Sequence, residues 1–66
     1  MNVVVNGRAM ELGPRSTVAR LLDHLGLETP YALVERNGEA VERIRYAELE
    51  LEEGDTLVVA RPVAGG

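Results

Sequence analysis

The first twelve residues have the pattern of a β-hairpin. Met1 to Val5 is a strand-like run ending in three valines, a residue type enriched in strands. Asn6-Gly7 follows, and this dipeptide tolerates the positive φ angles that a type I′ turn requires at both central positions. Arg8 to Leu12 then reads as the return strand, and Gly13-Pro14 ends it because proline has no amide hydrogen to donate.

An amphipathic helix is predicted from about Thr17 to Leu25. Apolar residues recur there at the i, i+3, i+4 and i+7 spacing of one helix face, namely Val18, Leu21, Leu22 and Leu25. Ser16 or Thr17 can cap the helix, because a short hydroxyl side chain accepts a hydrogen bond from the free amides of the first turn. Gly26 stands where a left-handed C-terminal cap is expected.

Three more strands are predicted in the second half of the chain. Tyr31 to Glu35 is the third strand, and its inward face stays open because apolar residues occupy both parities. Asn37-Gly38 is a second turn signal before the short fourth strand, Glu39 to Val41. Arg43 to Ala47 is predicted to be irregular or briefly helical. Thr56 to Ala60 is a mostly apolar last strand, a pattern typical of a strand buried on both sides in mid-sheet.

The order strand, strand, helix, strand, strand, strand predicts an α+β domain of two layers. One helix with one apolar stripe needs one sheet face to cover it. The length of 66 residues fits a single domain, residues 1–66. The pattern leaves the strand order open.

Composition excludes several functional classes. The chain has no cysteine, so thiolate metal sites, disulfides and cysteine nucleophiles are absent. The formal net charge of −4 argues against nucleic acid binding, which needs a basic face, and fits partners with basic docking surfaces. We expect a cytoplasmic protein without membrane contact, because the sequence has no signal peptide pattern and no long apolar run.

The side chains capable of acid–base chemistry form no catalytic pattern. His24 is the single histidine and lies beside the apolar stripe of the helix, so an exposed or rim position is favoured over a metal or catalytic role. An acidic cluster near the last strand is interpreted as a solvated strand edge; its members are Glu48, Glu50, Glu52, Glu53 and Asp55. Leu49 and Leu51 alternate with these glutamates and are predicted to point inward.

The C-terminal segment is the strongest functional signal. The last strand is followed by Arg61-Pro62-Val63-Ala64-Gly65-Gly66. Glycines without Cβ atoms can thread a narrow crevice and let other groups approach the backbone closely. A carboxylate is a poor electrophile, and an enzyme that activates it as a mixed anhydride with AMP must surround it with ATP and magnesium. We therefore interpret the segment as a flexible Gly-Gly tail that enters partner enzymes.

These features together resemble the ThiS family, the sulfur carriers of thiamine biosynthesis within the ubiquitin-like β-grasp group. The resemblance covers essentially the whole chain. It is carried by Val3-Val4-Val5-Asn6-Gly7, Thr17-Val18 with Leu21-Leu22, Asn37-Gly38 with Val41, Gly54-Asp55, Leu57-Val58-Val59 and Val63-Ala64-Gly65-Gly66. It implies the β-grasp fold, with the helix packed across a mixed sheet of about five strands.

The resemblance also implies a mechanism in which the chain is a carrier and not an enzyme. A ThiF-like adenylyltransferase uses ATP and Mg to adenylate Gly66, and no cofactor is bound by the carrier itself. Sulfur from cysteine, delivered by a desulfurase or another donor, converts Gly66 to a thiocarboxylate. A ThiG-like thiazole synthase then takes this sulfur, while Val63, Ala64 and Gly65 thread into the partner enzymes.

Other functions share parts of this pattern. Carriers for molybdopterin synthesis or tRNA thiolation have the same fold and Gly-Gly end, although the molybdopterin subunits tend to be longer and richer in aromatic residues. A ubiquitin-like protein tag is a further alternative, and the absence of lysine argues only against chain formation. A plain binding module with incidental glycines is the last alternative.

A docking surface is predicted on the sheet face that the helix leaves uncovered. Exposed apolar patches mark interaction sites. The candidate residues from the last strand are Leu57 or Val58, and Ala60, with Val63 and Ala64 near the tail. Aspartate substitutions at these positions are expected to slow adenylation.

Overall fold

A computed structural model describes residues 1–28 and 31–61. Its elements, in chain order, are β1 (Asn2–Val5), β2 (Arg8–Glu11), α1 (Val18–His24), β3 (Leu33–Arg36), β4 (Glu39–Ala40), a 3₁₀ helix (Arg43–Arg45) and β5 (Thr56–Ala60). The strands form one five-stranded sheet in the order β2-β1-β5-β3-β4. β1 and β5 are parallel, and the other neighbouring pairs are antiparallel. The predicted α+β class with a mixed sheet is therefore confirmed.

Both predicted Asn-Gly turns are present and join antiparallel strands. Asn6 and Gly7 have φ angles of 51° and 82°, and Asn37 and Gly38 have φ angles of 51° and 86°. Positive φ at both central positions is the geometry of a type I′ turn, whose twist matches that of the flanking strands. These turns set the registers of β1 with β2 and of β3 with β4.

The helix begins and ends at the predicted caps. Thr17, not Ser16, is the N-cap, and its Oγ1 accepts a 3.2 Å hydrogen bond from the amide of Arg20. The Ser16 hydroxyl instead donates to the carbonyl of Gly13 at 2.7 Å. Gly26 follows the helix with φ of 74°, which is the left-handed conformation expected after a helix C-terminus.

The core lies between α1 and one face of the sheet. The helix contributes Val18, Leu21 and Leu22, all fully buried. The sheet contributes alternate residues, namely Val3, Val5, Val34, Leu57 and Val59. Burying one such side chain stabilises the fold by about 1.5–3 kcal/mol. Because the apolar side chains of β3 alternate in the same way, Val34 points inward and Leu33 outward, which resolves the parity that the sequence left open.

The connection between β4 and β5 packs beside the start of the helix. The amides of Val18 and Ala19 donate to the carbonyls of Leu49 and Tyr46, at 3.1 and 2.8 Å. Leu51 is buried and Leu49 partly buried, so their predicted inward orientation is confirmed. The brief helical turn predicted within Arg43 to Ala47 is also confirmed.

The expectation that β5 is buried on both sides is wrong. β5 does lie in the middle of the sheet, but only Leu57 and Val59 are buried. Thr56, Val58 and Ala60 alternate with them and are exposed. The helix covers a single face, so the apolar run of β5 supplies the core on one side and an apolar surface on the other.

Candidate functional site

The predicted sulfur-bearing tail begins where the described part of the chain ends. β5 ends at Ala60, and Arg61 is exposed. Residues 62–66, including the predicted tail residues Val63, Ala64, Gly65 and Gly66, lie outside the described residues. The part of the site that can be described is the surface from which the tail departs.

That surface carries an apolar patch on the open sheet face. Leu33 of β3 and Ala60 of β5 are Cα partners across the antiparallel pair, and Val58 is the diagonal neighbour of Leu33. The side chains of Leu33 and Val58 are large and half exposed, with residue exposures of 50% and 48%. We call these three residues the open-face patch. An exposed apolar cluster bordering a predicted functional tail is the feature expected of a docking surface.

The two sequence candidates for this surface differ in exposure. Leu57 is fully buried and packs in the core, so it cannot form part of an exposed docking face. Val58 and Ala60 are exposed on the predicted face. Sequence reasoning missed Leu33, because the apolar residues around it occupy both strand parities and only pairing with β5 shows which face it takes.

Charged side chains border the open-face patch. Glu35 of β3 is exposed and lies directly opposite Val58, and Arg61 follows Ala60 at the end of β5. An apolar centre with a polar rim is the usual arrangement of a protein interface. The patch therefore has the composition of a surface for a protein partner.

The acidic cluster is not the uniformly solvated strand edge that the sequence suggested. Its four glutamates are exposed, but they precede β5 and belong to no named strand. Asp55 is buried, with Oδ2 accepting 2.8 Å hydrogen bonds from Nε of Arg36 and from the amide of Glu52. Oδ1 accepts a further hydrogen bond from Nδ2 of Asn37 at 3.1 Å.

These contacts govern the ionisation of Asp55. Burial by itself raises the pKa of this carboxyl, but the hydrogen bonds from Glu52, Asn37 and Arg36, with the charge of Arg36, outweigh it. The net effect lowers the pKa of Asp55 below its ordinary value of 3.8. A carboxylate held ionised by its neighbours has a structural role here, because it joins the start of β5 to the β3–β4 turn.

The remaining candidate chemistry is dispersed over the described surface. His24 is exposed at the end of α1, and within residues 1–28 and 31–61 no three acidic or histidine side chains converge as a metal site. Two open grooves of about 270 and 290 Å³ lie elsewhere, one beside Val41 and Arg45, the other beside Pro14 and His24. Neither groove includes a residue of the open-face patch.

In the described part of the chain, no helix has the length and hydropathy needed to span a membrane.

Comparison with solved structures supports the same fold. The crystal structure of the thiamine biosynthesis protein ThiS from Geobacter metallireducens has a TM-score of 0.81 at 32% identity, with 100% of each chain covered. An NMR structure of a thiamine biosynthesis protein from the same organism has a TM-score of 0.79 at 30% identity, covering 100% of this chain and 88% of that one.

Sequence comparison agrees with the structural likeness. The chain is 35% identical over 66 residues to a thiazole synthase of Paramagnetospirillum magneticum, covering 100% of this chain. The chain spans only 20% of the length of that protein. The model of the ThiS family matches residues 3–66, which is nearly the whole chain. With its mixed sheet, single covering helix and this match, the chain belongs to the ThiS family and has the ubiquitin-like β-grasp fold.

Proposed function

We propose that this protein is the sulfur carrier for thiazole formation in thiamine biosynthesis, and that Gly66 carries the sulfur as a thiocarboxylate. The observation that carries the proposal is the match to the ThiS family, which extends to Gly66 itself. The likeness to the Geobacter metallireducens protein, over the full length of both chains, supports the same pathway. In this role the protein is a co-substrate that is consumed and regenerated, not an enzyme.

The chemistry begins with activation of the terminal carboxylate. An oxygen of Gly66 attacks the α-phosphorus of ATP, pyrophosphate leaves, and an acyl adenylate forms. A sulfur nucleophile then adds to the acyl carbon, and AMP departs as the leaving group. Because the desulfurase delivers sulfur as a persulfide, this addition gives an acyl disulfide. A thiol reductant then attacks the donor's sulfur and breaks the S–S bond, so that the donor leaves in a mixed disulfide and Gly66 ends in a thiocarboxylate. ATP and Mg belong to the ThiF-like enzyme that performs the adenylation, and the sulfur originates from cysteine through a desulfurase.

The tail sequence suits this activation. Gly65 and Gly66 carry no Cβ atoms, so a crevice narrow enough to exclude water can close around them beside a nucleotide. Val63 and Ala64 provide small apolar side chains that bind along the crevice. The bound tail thereby places the Gly66 carboxylate against the α-phosphate, and this positioning is a large part of what makes such a reaction fast.

The open-face patch provides the docking surface for the adenylating enzyme. Leu33, Val58 and Ala60 adjoin the root of the tail, so contact at the patch and threading of the tail occur on one partner. The net charge of −4 favours an enzyme surface that is basic around its apolar centre. Docking at a fixed patch makes binding of the tail effectively intramolecular.

The second partner is a ThiG-like thiazole synthase, which accepts the sulfur from Gly66. Support comes from the thiazole synthase of Paramagnetospirillum magneticum, of which 20% aligns with this chain at 35% identity. A single polypeptide holding such a segment keeps carrier and synthase at high effective concentration.

The test is the intact mass of the protein after incubation with ATP, a ThiF-type enzyme and a sulfur donor. The carrier role predicts a mass gain equal to the exchange of one oxygen for sulfur. Deletion of Gly66 should abolish the gain, whereas Arg8→Ala, far from the tail in sequence, should retain it. An unchanged mass with an enzyme that modifies another ThiS protein would reject the proposal and favour a binding module or protein tag. Subsequent incubation with thiazole synthases, molybdopterin synthase or tRNA-thiolating enzymes would identify the client.

A further inference from the structure

The C-terminal end of β5 is paired with β3 on one side, but β1 does not extend far enough to pair with it on the other. A side chain takes the place of β1 there. β1 pairs with β5 only at Val4 with Thr56 and at Val5 with Leu57. Beyond Val5 the chain turns away into β2, so no β1 residue lies beside Val59. Asn6 fills this place: its Oδ1 accepts from the amide of Val59 at 2.8 Å, and its Nδ2 donates to the carbonyl of Val59 at 3.0 Å.

The Asn6 carboxamide acts as one additional peptide group in the parallel ladder. A carboxamide has the same donor and acceptor atoms as a peptide unit, so it satisfies both backbone groups of Val59. The backbone amide of Asn6 donates to the carbonyl of Leu57 at 2.9 Å. This bond fixes the backbone of Asn6 beside Leu57, from where its side chain reaches Val59. The φ of 51° aims the side chain there, a conformation that asparagine tolerates better than most residues.

The residue held in this way lies between the two β5 members of the open-face patch. Val58 precedes Val59 and Ala60 follows it, and the tail begins shortly beyond. If the end of β5 frayed, both patch residues on β5 would lose their positions relative to Leu33. Ordering them again on docking would cost backbone entropy and weaken the complex.

We propose that Asn6 is a positioning residue for adenylation, whose carboxamide keeps Val59 and Ala60 in the sheet so that patch and tail root are presented pre-ordered to the adenylating enzyme. This inference rests on the proposed sulfur-carrier function. It concerns binding of the carrier and not the chemical step, because Asn6 lies in the β1–β2 turn and not on the tail.

The other Asn-Gly turn provides a matched control. Asn37 also has φ of 51°, and its Oδ1 accepts from the amide of Thr56 at 2.9 Å. Its own amide donates to the carbonyl of Thr56 at 2.7 Å. Asn37 therefore hydrogen-bonds to β5 through its backbone amide and its side chain, as Asn6 does, but at the beginning of the strand. Glycine replaces either residue without strain at positive φ, so Asn6→Gly and Asn37→Gly each remove two side-chain hydrogen bonds, at opposite ends of β5. For Asn37 the second of these bonds goes to Oδ1 of Asp55 and not to the backbone of β5.

The first experiment measures steady-state adenylation of wild type and both variants by a ThiF-type enzyme. Asn6→Gly should raise KM for the carrier roughly 5- to 30-fold, the equivalent of ordering one residue again, with kcat unchanged. Asn37→Gly should leave KM at the wild-type value although it also loses stability. Equal KM values in all three proteins, or equal increases in both variants, would overturn the inference.

The second experiment needs no partner enzyme and measures amide hydrogen exchange. The exchange rate of Ala60 is taken relative to Leu21 of the helix core, which corrects for global destabilisation. Ala60 is chosen because the side chain of Asn6 bonds the backbone of Val59, so the Val59 amide would exchange faster without any fraying. Asn6→Gly should raise this ratio and Asn37→Gly should not; an unchanged ratio in Asn6→Gly would overturn the inference. If wild type is not adenylated, the proposed function fails, and this measurement still decides whether Asn6 orders the end of β5.

Discussion

Leu33 and Ala60 are Cα partners across β3 and β5 on the sheet face opposite the helix, at the point where the chain leaves the sheet. Together with Val58, they place the apolar open-face patch at the root of the Gly-Gly tail. Two of these residues belong to the strand that continues into the tail. The carrier is thereby proposed to present its docking surface and its reactive end as neighbours.

The first prediction concerns docking at this patch. Leu33→Asp and Val58→Asp should each raise KM for adenylation by roughly 5- to 30-fold, because a charge in the centre of an apolar interface costs at least about 1–2 kcal/mol. Aspartate is a poor strand residue and Glu35 lies on the same face, directly opposite Val58, so each variant should also lose about 1 kcal/mol of stability. Steady-state adenylation assays and urea denaturation measure the two effects.

Ile44→Asp is the matched control for docking. Ile44 lies in the 3₁₀ helix and is 85% exposed. The segment that follows this helix packs beside α1, away from the open sheet face. Adenylation of this variant should match wild type. If Ile44→Asp impaired adenylation and the two patch variants did not, the docking surface would lie on the helix layer instead.

The second prediction is a pH dependence from Asp55. Since its pKa is lower in the folded state than the unfolded value of 3.8, its stabilising effect is present above that pH and lost as pH falls through the folded-state pKa. Asp55→Asn should cost about 1.5–3 kcal/mol at neutral pH, because charge-assisted hydrogen bonds from Arg36 and Glu52 weaken. The difference from wild type should shrink in more acidic solution. Urea denaturation from about pH 7 to about pH 2 tests this, and a constant difference throughout would contradict it.

The third prediction concerns the one buried hydroxyl of a tyrosine in the described core. Tyr46 Oη donates a 2.9 Å hydrogen bond to the carbonyl of Ala32. Tyr46→Phe should lower the free energy of unfolding by about 1–3 kcal/mol, since it leaves a buried carbonyl without its partner. Tyr31→Phe, at a position 60% exposed, is the control and should change stability little. Equal effects of the two substitutions would show that this hydrogen bond contributes nothing specific.

The fourth prediction compares two glycines, one with positive φ and one without. Gly38 has φ of 86°, so Gly38→Ala should destabilise the fold by about 1–2 kcal/mol through left-handed strain. Gly13 is outside the positive-φ region, and a Cβ added there meets no atom within 4 Å. Gly13→Ala should therefore stabilise by about 0.4–1 kcal/mol, because it restricts the unfolded chain. Thermal unfolding should show Tm shifts of opposite sign; a lowered Tm in Gly13→Ala would contradict the prediction.

Local sequence signals were sufficient for the elements of this fold. The two Asn-Gly turns, the Thr17 cap and Gly26 each act within a few residues, so their roles could be predicted from the chain. The strand order depends on pairing between distant segments, such as β1 with β5, and the pattern did not determine it. The resemblance to the ThiS family supplied the β-grasp arrangement that the periodicity left open.

The errors arose where the environment of a side chain depends on distant residues. Asp55 appears in sequence as one more acidic residue, and only Arg36 and Asn37, brought next to it by the β3–β4 turn, make it a buried carboxylate. The apolar run of β5 predicted burial on both sides, yet a single helix covers one face. The same run therefore placed Leu57 among the docking candidates although Leu57 is core.

The central place of β5 also determines how this protein responds to force. An enzyme that draws on the tail pulls along β5, which is bonded to parallel β1 on one side and to antiparallel β3 on the other. Ladder hydrogen bonds run across the strands, so such a pull loads those of both neighbours in shear, and they must break together. A tail attached to β2 or β4 would peel its edge strand away one bond at a time. Under the proposed carrier function, attachment of the tail to β5 would let a partner enzyme draw the tail in and release it while the sheet stays intact.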